Sequence, residues 1–353
     1  MALPVSTAAR LGVRNSDRPR QGVLAAIGRT PLVRLARLPG TARVDLFAKL
    51  EAANPGGSIK DRPALTIIEQ ALAHGLIDSG TVVVESSSGN FGVGLAQACR
   101  YHGLRFICVV DPKTTPQNLA ILGAYGAEVD MVTERDPATG EYLPVRLRRV
   151  RELCQVSFRS FWPNQYANTW NALAHHTTMG EIADALEGWV DYLFCATSTC
   201  GTLRGCAEYV REHGLATVIV AVDAVGSVIF GGPGGRRLLP GHGAAIRPAL
   251  CDQALAHEVI HVGDLDCVAG CRRLVRHEAI LAGASSGAAV MAAYRMLPEL
   301  RAGSNCVLIL PDRGERYLDT VYCDAWVEAH FGAVSHLWED ARMDVEGWMT
   351  AIS

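Results

Sequence analysis

The stretch Asn54-Pro55-Gly56-Gly57-Ser58-Ile59-Lys60-Asp61-Arg62 decides how this chain is read. Upstream, Leu46-Phe47-Ala48-Lys49-Leu50 has the pattern of a strand. Downstream, Ala64, Leu65, Ile67, Ile68, Ala71 and Leu72 recur at helical spacing until His74-Gly75 ends the run. A glycine-rich turn thus delivers one lysine to the mouth of a helix. An amine held there is partly desolvated and faces the positive helix end; both effects lower its pKa, and such an amine can form Schiff bases. A solvated surface lysine is an equally good reading of this stretch alone. The neighbouring loops must decide.

Outward from the lysine, strand and helix patterns alternate. Ile27 to Val33 reads as a turn into a short strand, and Val44 to Leu50 as the strand before the lysine turn. Strands follow at Thr81–Glu85, Phe106–Val110 and Glu128–Val132, with helices at Asn90–His102, Pro116–Leu122 and Leu143–Cys154. After a break, a helix at His176–Leu186, a strand at Tyr192–Ala196, a helix after Gly201 and a strand at Thr217–Val222 continue the pattern. A strand at Glu258–Val262, helices at Asp264–Glu278 and Ser286–Met296, and a strand at Asn305–Leu310 complete it.

Parallel strands need helix-length crossovers, so the expected fold is α/β, two lobes each with a mostly parallel twisted sheet and helices on both faces. The expected division is an arm at 1–21, a smaller lobe at 54–160, a larger lobe from 22–53 plus 161–330, and a tail at 331–353. Ligands of such sheets bind at the carboxyl ends of the strands. The segment from Gly226 to Pro248 holds five glycines by Gly235 and is too long for a simple connector, so it reads as an active-site loop.

The chain has 353 residues, 49% hydrophobic and 20% charged, enough for a large core in two lobes. A net charge of -3 offers no broad basic field for nucleic acid. Eleven scattered cysteines, none in a Cys-x-x-Cys pair, suit small buried residues in a reducing cytosol better than disulfides or zinc. Arg10, Arg14, Arg18 and Arg20 sit among small polar residues in what reads as a disordered arm, without a signal-peptide core. No apolar run approaches the roughly 20 residues that span a bilayer, so a cytoplasmic protein without membrane contact is expected.

Three further loops follow expected strands and open expected helices, aiming backbone N–H groups at a common cleft. Ser86-Ser87-Ser88-Gly89-Asn90-Phe91-Gly92 could hold a carboxylate. Ser198-Thr199-Cys200-Gly201-Thr202 suits a phosphate nest. Gly283-Ala284-Ser285-Ser286-Gly287 sets a hydroxyl at a helix start. Any one of them could be an ordinary N-cap; their order along the chain with the lysine turn is what carries information.

In that order, from about Ile27 to Thr320, the chain resembles the fold-type-II pyridoxal 5'-phosphate enzymes of the cysteine synthase and cystathionine synthase family. The resemblance implies that Lys60 joins the cofactor in a Schiff base, that Asn90 meets its ring hydroxyl, and that Ser198, Thr199, Cys200, Gly201 and Thr202 bind its phosphate. It implies Ser285 at the pyridine nitrogen, and Ser87, Ser88 and Gln165 on the substrate carboxylate, with Gly89 and Phe91 in the same loop. Pro311-Asp312-Arg313-Gly314-Glu315-Arg316-Tyr317-Leu318 is similar to the family's closing motif. A serine cannot keep the ring nitrogen protonated as an aspartate does, which suits β-elimination followed by addition of a nucleophile. A homodimer acting on small amino-acid substrates is implied as well.

The sequence departs from ordinary cysteine synthases at Phe91, Ser198 and Cys200, and throughout Val225–Phe230 and Arg236–Gly243. These departures resemble the branch that makes N-(1-amino-1-carboxyethyl)-glutamate from O-phosphoserine and glutamate, the first step toward 2,3-diaminopropionate for siderophores or peptide antibiotics. A phosphate leaving group and a dicarboxylate nucleophile would each gain from arginine, and Arg236, Arg237 and Arg247 flank the glycine-rich loop. Solvated loop charges explain these arginines equally well. Sulfide as the nucleophile is the alternative reaction, and a non-catalytic partner that keeps the fold is the alternative class.

Three decoys fall away on chemistry. His257-Glu258-Val259-Ile260-His261 spells a zinc-protease motif, but that motif needs a helix and this segment reads as a strand, so no metal is expected. Cys267 and Cys271 suit a helix core. A nicotinamide site would need Gly-x-Gly-x-x-Gly, which Gly89 to Gly94 lacks.

Overall fold

A computed structural model describes residues 21–339 apart from positions 39, 42 and 158. Nearly all of the expected arm, and Trp348 in the tail, lie outside the described residues.

Among the described residues ten strands form two sheets. The larger takes β1 (Leu32–Arg34), β2 (Asp45–Leu50), β7 (Tyr192–Ala196), β8 (Val218–Ala224), β9 (Glu258–Val262) and β10 (Asn305–Leu310) in the order β1-β2-β10-β7-β8-β9. Only the β1–β2 pair is antiparallel. The smaller takes β3 (Val82–Ser86), β4 (Arg105–Val110), β5 (Glu128–Met131) and β6 (Ser160–Phe161) in the order β5-β4-β3-β6, parallel throughout.

Alternating side chains send each strand's apolar residues to opposite faces, and helices cover both. In the larger sheet Leu193, Cys195, Ile219 and Ala221 pack with residues of α5 (Thr169–Ala185) and α6 (Gly201–Glu212). Phe194, Val220 and Val222 pack the other way, with α7 (Asp264–Arg273) and α8 (Ala284–Met296). In the smaller sheet Val83, Phe106 and Cys108 join α1 (Asp61–Ala73), α2 (Asn90–His102) and α3 (Pro116–Ala124). Val82, Val84 and Val109 meet Val150 of α4 (Leu143–Val156).

Helix α5 begins seven residues before the helix expected at His176. It lies between α1 and α6, so small and polar residues surround it and no clean apolar stripe marks its first turns. Its start is capped by Asn168, whose side chain accepts from the Trp170 N–H at 2.9 Å. The start of the tail packs on the body: Leu337 and Trp338 are buried, and the Arg273 guanidinium donates to the Leu337 carbonyl. The His257–His261 segment lies on and beside β9, where the backbone N–H of Ile219 donates to His257 Nδ1 at 2.9 Å.

Candidate active site

The lysine turn is fastened before it reaches Lys60. Asp61 accepts from the Gly56 N–H at 2.5 Å, Ser58 bridges to Asp312, and the Ile59 N–H donates to the Pro311 carbonyl at 2.7 Å. The turn is thereby tied to the carboxyl end of β10, and Lys60 stands at the N-cap of α1. Gly57 takes a φ of 85°, a left-handed conformation that favours glycine.

Lys60 lies half-buried on the wall of a cleft with ≈ 890 Å³ of empty space including its open mouth. Its Nζ makes no hydrogen bond or ion pair among the described residues. Desolvation lowers its pKa to about 8, opposed by the negative field of the Asp312 carboxylate. A substantial neutral fraction of this amine is therefore present near neutral pH.

The other loops arrive from the strand ends at the same cleft. Ser86, Ser87, Ser88, Gly89, Asn90 and Phe91 line it after β3; Ser198, Thr199 and Thr202 line it after β7; Ser285 lines it from the first turn of α8. Gln165 completes the wall. Ser87 Oγ accepts from the Gly92 N–H at 2.9 Å, which leaves its hydroxyl proton available to a ligand. Phe91 touches the cleft but is mainly a core residue, 2% exposed within the small-sheet cluster.

Two residues of the expected phosphate loop do not line the cleft. Gly201 is pressed against Asn171, with a Cβ there only 2.1 Å from the Asn171 Oδ1, so only glycine lets the helix start come this close. Cys200, at a φ of 64°, turns into an apolar cluster with Ile229, Ala244 and Leu250. There its thiol hydrogen-bonds Cys251, and this bond together with nearby Arg247 brings the Cys251 thiol down to about 7. Behind the loop, His175 Nε2 lies 3.3 Å from Thr202 Oγ1, and burial pushes its pKa well down, so the ring is neutral.

Several contributors were not singled out from the sequence: Glu85 and Arg146 carry no local signal, and Asp312, Arg316 and Tyr317 were read only as part of the closing motif. Glu85 is buried and pushed up to about 7 by desolvation; it accepts from the Ser86 N–H, the Trp162 indole and the Gln165 N–H, setting the strand end against the Gln165 loop. The Asn90 amide donates to Asp312 at 2.7 Å and accepts from the Arg316 guanidinium, so both ends are held. Tyr317 donates to the same Asp312 at 2.8 Å, and burial raises the Asp312 pKa. Arg146 is 8% exposed and lines the cleft; its Nε lies 3.2 Å from Asp111, while its Nη1 is buried without a hydrogen bond. Of the three loop arginines, Arg237 lines an outer chamber of the cleft, whereas Arg236 and Arg247 are exposed and do not. The sequence order of Glu85 and Asp312 next to the serine and closing motifs is the one clue that could have found them.

This donor set suits pyridoxal phosphate. A low-pKa lysine without an ion-pair partner can condense with its aldehyde, the N-terminus of α6 with Thr199 and Thr202 can hold its phosphate, and the Ser285 hydroxyl lining the cleft can serve a ring nitrogen as a neutral partner.

The comparisons agree. Residues 23–312 match the family model described as pyridoxal-phosphate dependent enzyme. The chain is 49% identical over 308 residues to an N-(2-amino-2-carboxyethyl)-L-glutamate synthase of Ralstonia nicotianae, covering 87% of this chain and 91% of that one. Among solved structures it is similar to a hydrogen sulfide-producing enzyme from Fusobacterium nucleatum, at 33% identity and a TM-score of 0.78, over 85% of this chain and all of that one. An O-acetylserine dependent cystathionine beta-synthase from Helicobacter pylori shares 30% identity at a TM-score of 0.80, over 87% and 100% of the two chains. The chain belongs to the pyridoxal-phosphate dependent enzyme family, within its cysteine synthase-like branch.

Proposed function

We propose that this enzyme performs a β-replacement, O-phospho-L-serine plus L-glutamate giving N-(1-amino-1-carboxyethyl)-L-glutamate and phosphate. The observation that carries this reading is the pair of arginines, Arg146 and Arg237, that reach the cleft beyond Lys60 from its two sides. A phosphate leaving group and a dicarboxylate nucleophile need such cations; sulfide needs neither. The name of the Ralstonia relative supports it. The product suits a route to 2,3-diaminopropionate for siderophores or peptide natural products.

Pyridoxal phosphate, when bound, supplies the electron sink through which the Cα proton and the Cβ leaving group are lost. The assigned holders are Lys60, Asn90, Ser285 and the loop Ser198, Thr199, Cys200, Gly201 and Thr202. Cys200 and Gly201 act there through backbone N–H groups, since their side-chain positions point elsewhere. Ser87, Ser88, Gly89 and Gln165 are assigned to the substrate carboxylate, with Phe91 closing that loop onto the core.

With the cofactor bound, the Lys60 amine would be the base for the substrate's Cα proton; its lowered pKa leaves it neutral often enough for that role. The unbonded Nη1 of Arg146 receives the phosphate as it departs. Glu85 keeps the Gln165 loop in register, and the Asp312–Asn90–Arg316 clamp fixes the amide expected at the cofactor's ring.

The two sheets mark the two lobes of this reading, with the cleft between residues of both. A cytoplasmic homodimer belongs to it as well: all eleven cysteines are unpaired, which suits a reducing compartment. Among the described residues no helix is long and apolar enough to cross a membrane.

Mass-spectrometric identification of products from O-phosphoserine and O-acetylserine, each mixed with glutamate and with sulfide, tests the proposal. The glutamate adduct from O-phosphoserine is the expected major product. Faster turnover to cysteine would overturn it in favour of a cysteine synthase.

A further inference from the structure

Beyond Lys60 the cleft opens into an outer chamber whose walls include Lys113, Arg146, Arg237 and Arg316. These four cations differ in how far they are already committed. Lys113 pairs with Glu141 at 3.4 Å, Arg146 Nε lies 3.2 Å from Asp111, and Arg316 donates to Asn90 and, at 2.8 Å, to the Gly56 carbonyl. Arg237 makes no hydrogen bond or ion pair among the described residues.

Arg237 is nevertheless held in place. The Gly235 N–H donates to the Gly226 carbonyl at 3.0 Å, and the N–H groups of Leu238 and Leu239 donate to the Asp264 carboxylate at 2.9 and 3.1 Å. The backbone is therefore pinned on both sides of the arginine. Room for the guanidinium is provided by Gly243, where a Cβ would lie 2.7 Å from the Arg237 Nη1. The buried Asp223 feels its charge from beyond ion-pair distance, so this half-buried guanidinium in a fitted place has no carboxylate bonded to it and is arranged to meet an anion from outside.

Which anion follows from the chamber it faces. The phosphate of O-phosphoserine is attached through one oxygen to the reacting carbon, so it belongs beside Lys60 in the inner chamber, which Arg146 lines and Arg237 does not. The side-chain carboxylate of a dicarboxylic amino acid that attacks through its amine is several bonds from the reacting carbon. It belongs in the outer chamber. We infer that Arg237 determines nucleophile specificity by binding the side-chain carboxylate of the incoming amino acid, so that the outer chamber selects a dicarboxylate over its amide or a simple thiol. This rests on the β-replacement reading given above.

Holoenzyme variants Arg237→Gln and Arg237→Lys, with Arg236→Gln as the exposed neighbour, test it. Two quantities are read: the KM for glutamate with the preference for glutamate over glutamine, and single-turnover phosphate release from O-phosphoserine without a nucleophile. In Arg237→Gln the glutamate KM is expected to rise about 10- to 100-fold, as loss of a charge-assisted hydrogen bond predicts. The preference over glutamine collapses, while phosphate release stays within about twofold. Arg237→Lys recovers part of the preference and Arg236→Gln retains all of it. An unchanged preference in Arg237→Gln, or phosphate release that falls as far as glutamate use, would overturn the assignment. A wild-type enzyme that releases phosphate but makes no glutamate adduct overturns glutamate as the nucleophile, and the assignment with it.

Discussion

Two lysines stand eleven residues apart on either side of the glycine-rich turn, and the protein treats them in opposite ways. Lys49 is 1% exposed on β2, and its Nζ donates to the Thr30 carbonyl and to Glu181, both at 2.6 Å. Glu181 also accepts from Arg62 at 2.7 Å, and Arg62 reaches Glu51 as well, so the charges close into a buried network beneath α1. Lys60 faces the cleft with no such partner. A buried charge that is fully paired holds a structure in one arrangement, whereas one left without a partner loses its proton more readily and is available for bonding. The carboxylates, not the lysines, separate scaffold from chemistry.

The sharpest way to break the comparison is to remove each amine in turn. Lys60→Ala should lower turnover by roughly 10³-fold or more, with the folded state retained, as read by product formation and thermal melting. Lys49→Met should leave chemistry detectable and act on stability instead. The partner carboxylate tests the same contrast from the other side: Glu181→Gln leaves Lys49 and Arg62 short of negative charge. The expected loss is about 3–5 kcal/mol of stability, measured by urea denaturation, with little effect on the intrinsic chemical step.

The pH dependence of that carboxylate has a defined sign. Burial would raise the Glu181 pKa, but hydrogen bonds from Arg62 and Lys49 bring it down to about 2. Its contribution is complete above the ordinary glutamate range, and is lost as pH falls toward about 2. Acid titration of wild type and Glu181→Gln should therefore converge at low pH. At Lys60 the sign runs the other way for reactivity. The neutral amine is the one that condenses with an aldehyde, so pyridoxal phosphate uptake by cofactor-free protein should rise with pH and level off above about 8. Asp312 supports the charged form of Lys60, so Asp312→Asn should shift that midpoint downward, the smallest effect of the set and visible in the visible-absorption titration.

The parts of this molecule that were legible in the sequence are the local ones. The helix Asn90–His102 and the strands Tyr192–Ala196 and Asn305–Leu310 have the bounds that periodicity and glycine punctuation suggest. The start of α5 was obscured because packing on two sides removes the apolar stripe, although Asn168 before Thr169 was a readable cap. The lysine turn and the three serine-rich loops were readable because each motif is contiguous. The clamp on Asn90 was not, since Arg316 is 226 residues away and nothing in either stretch names the other. Arg236, Arg237 and Arg247 look alike in the sequence; only the path of their loop turns Arg237 inward. The buried Nη1 of Arg146 is likewise a product of tertiary packing, on a helix whose sequence reads as an ordinary charged surface.

The loop from Gly226 to Pro248 folds on itself, with the Gly235 N–H on the Gly226 carbonyl and the Val228 N–H on the Ala244 carbonyl, both at 3.0 Å, and Asp264 of α7 holds its Leu238 and Leu239. One further tie, from the Gly243 N–H to the Thr197 carbonyl at 2.6 Å, reaches the end of β7, and none of them passes through Lys60. The outer part of the loop, before Pro240 and Gly241 reach the Lys60 cleft, is thus an exchangeable cassette: Arg237 and its neighbours can be rewritten during evolution, and a new partner amino acid recruited, without disturbing the lysine that begins the reaction.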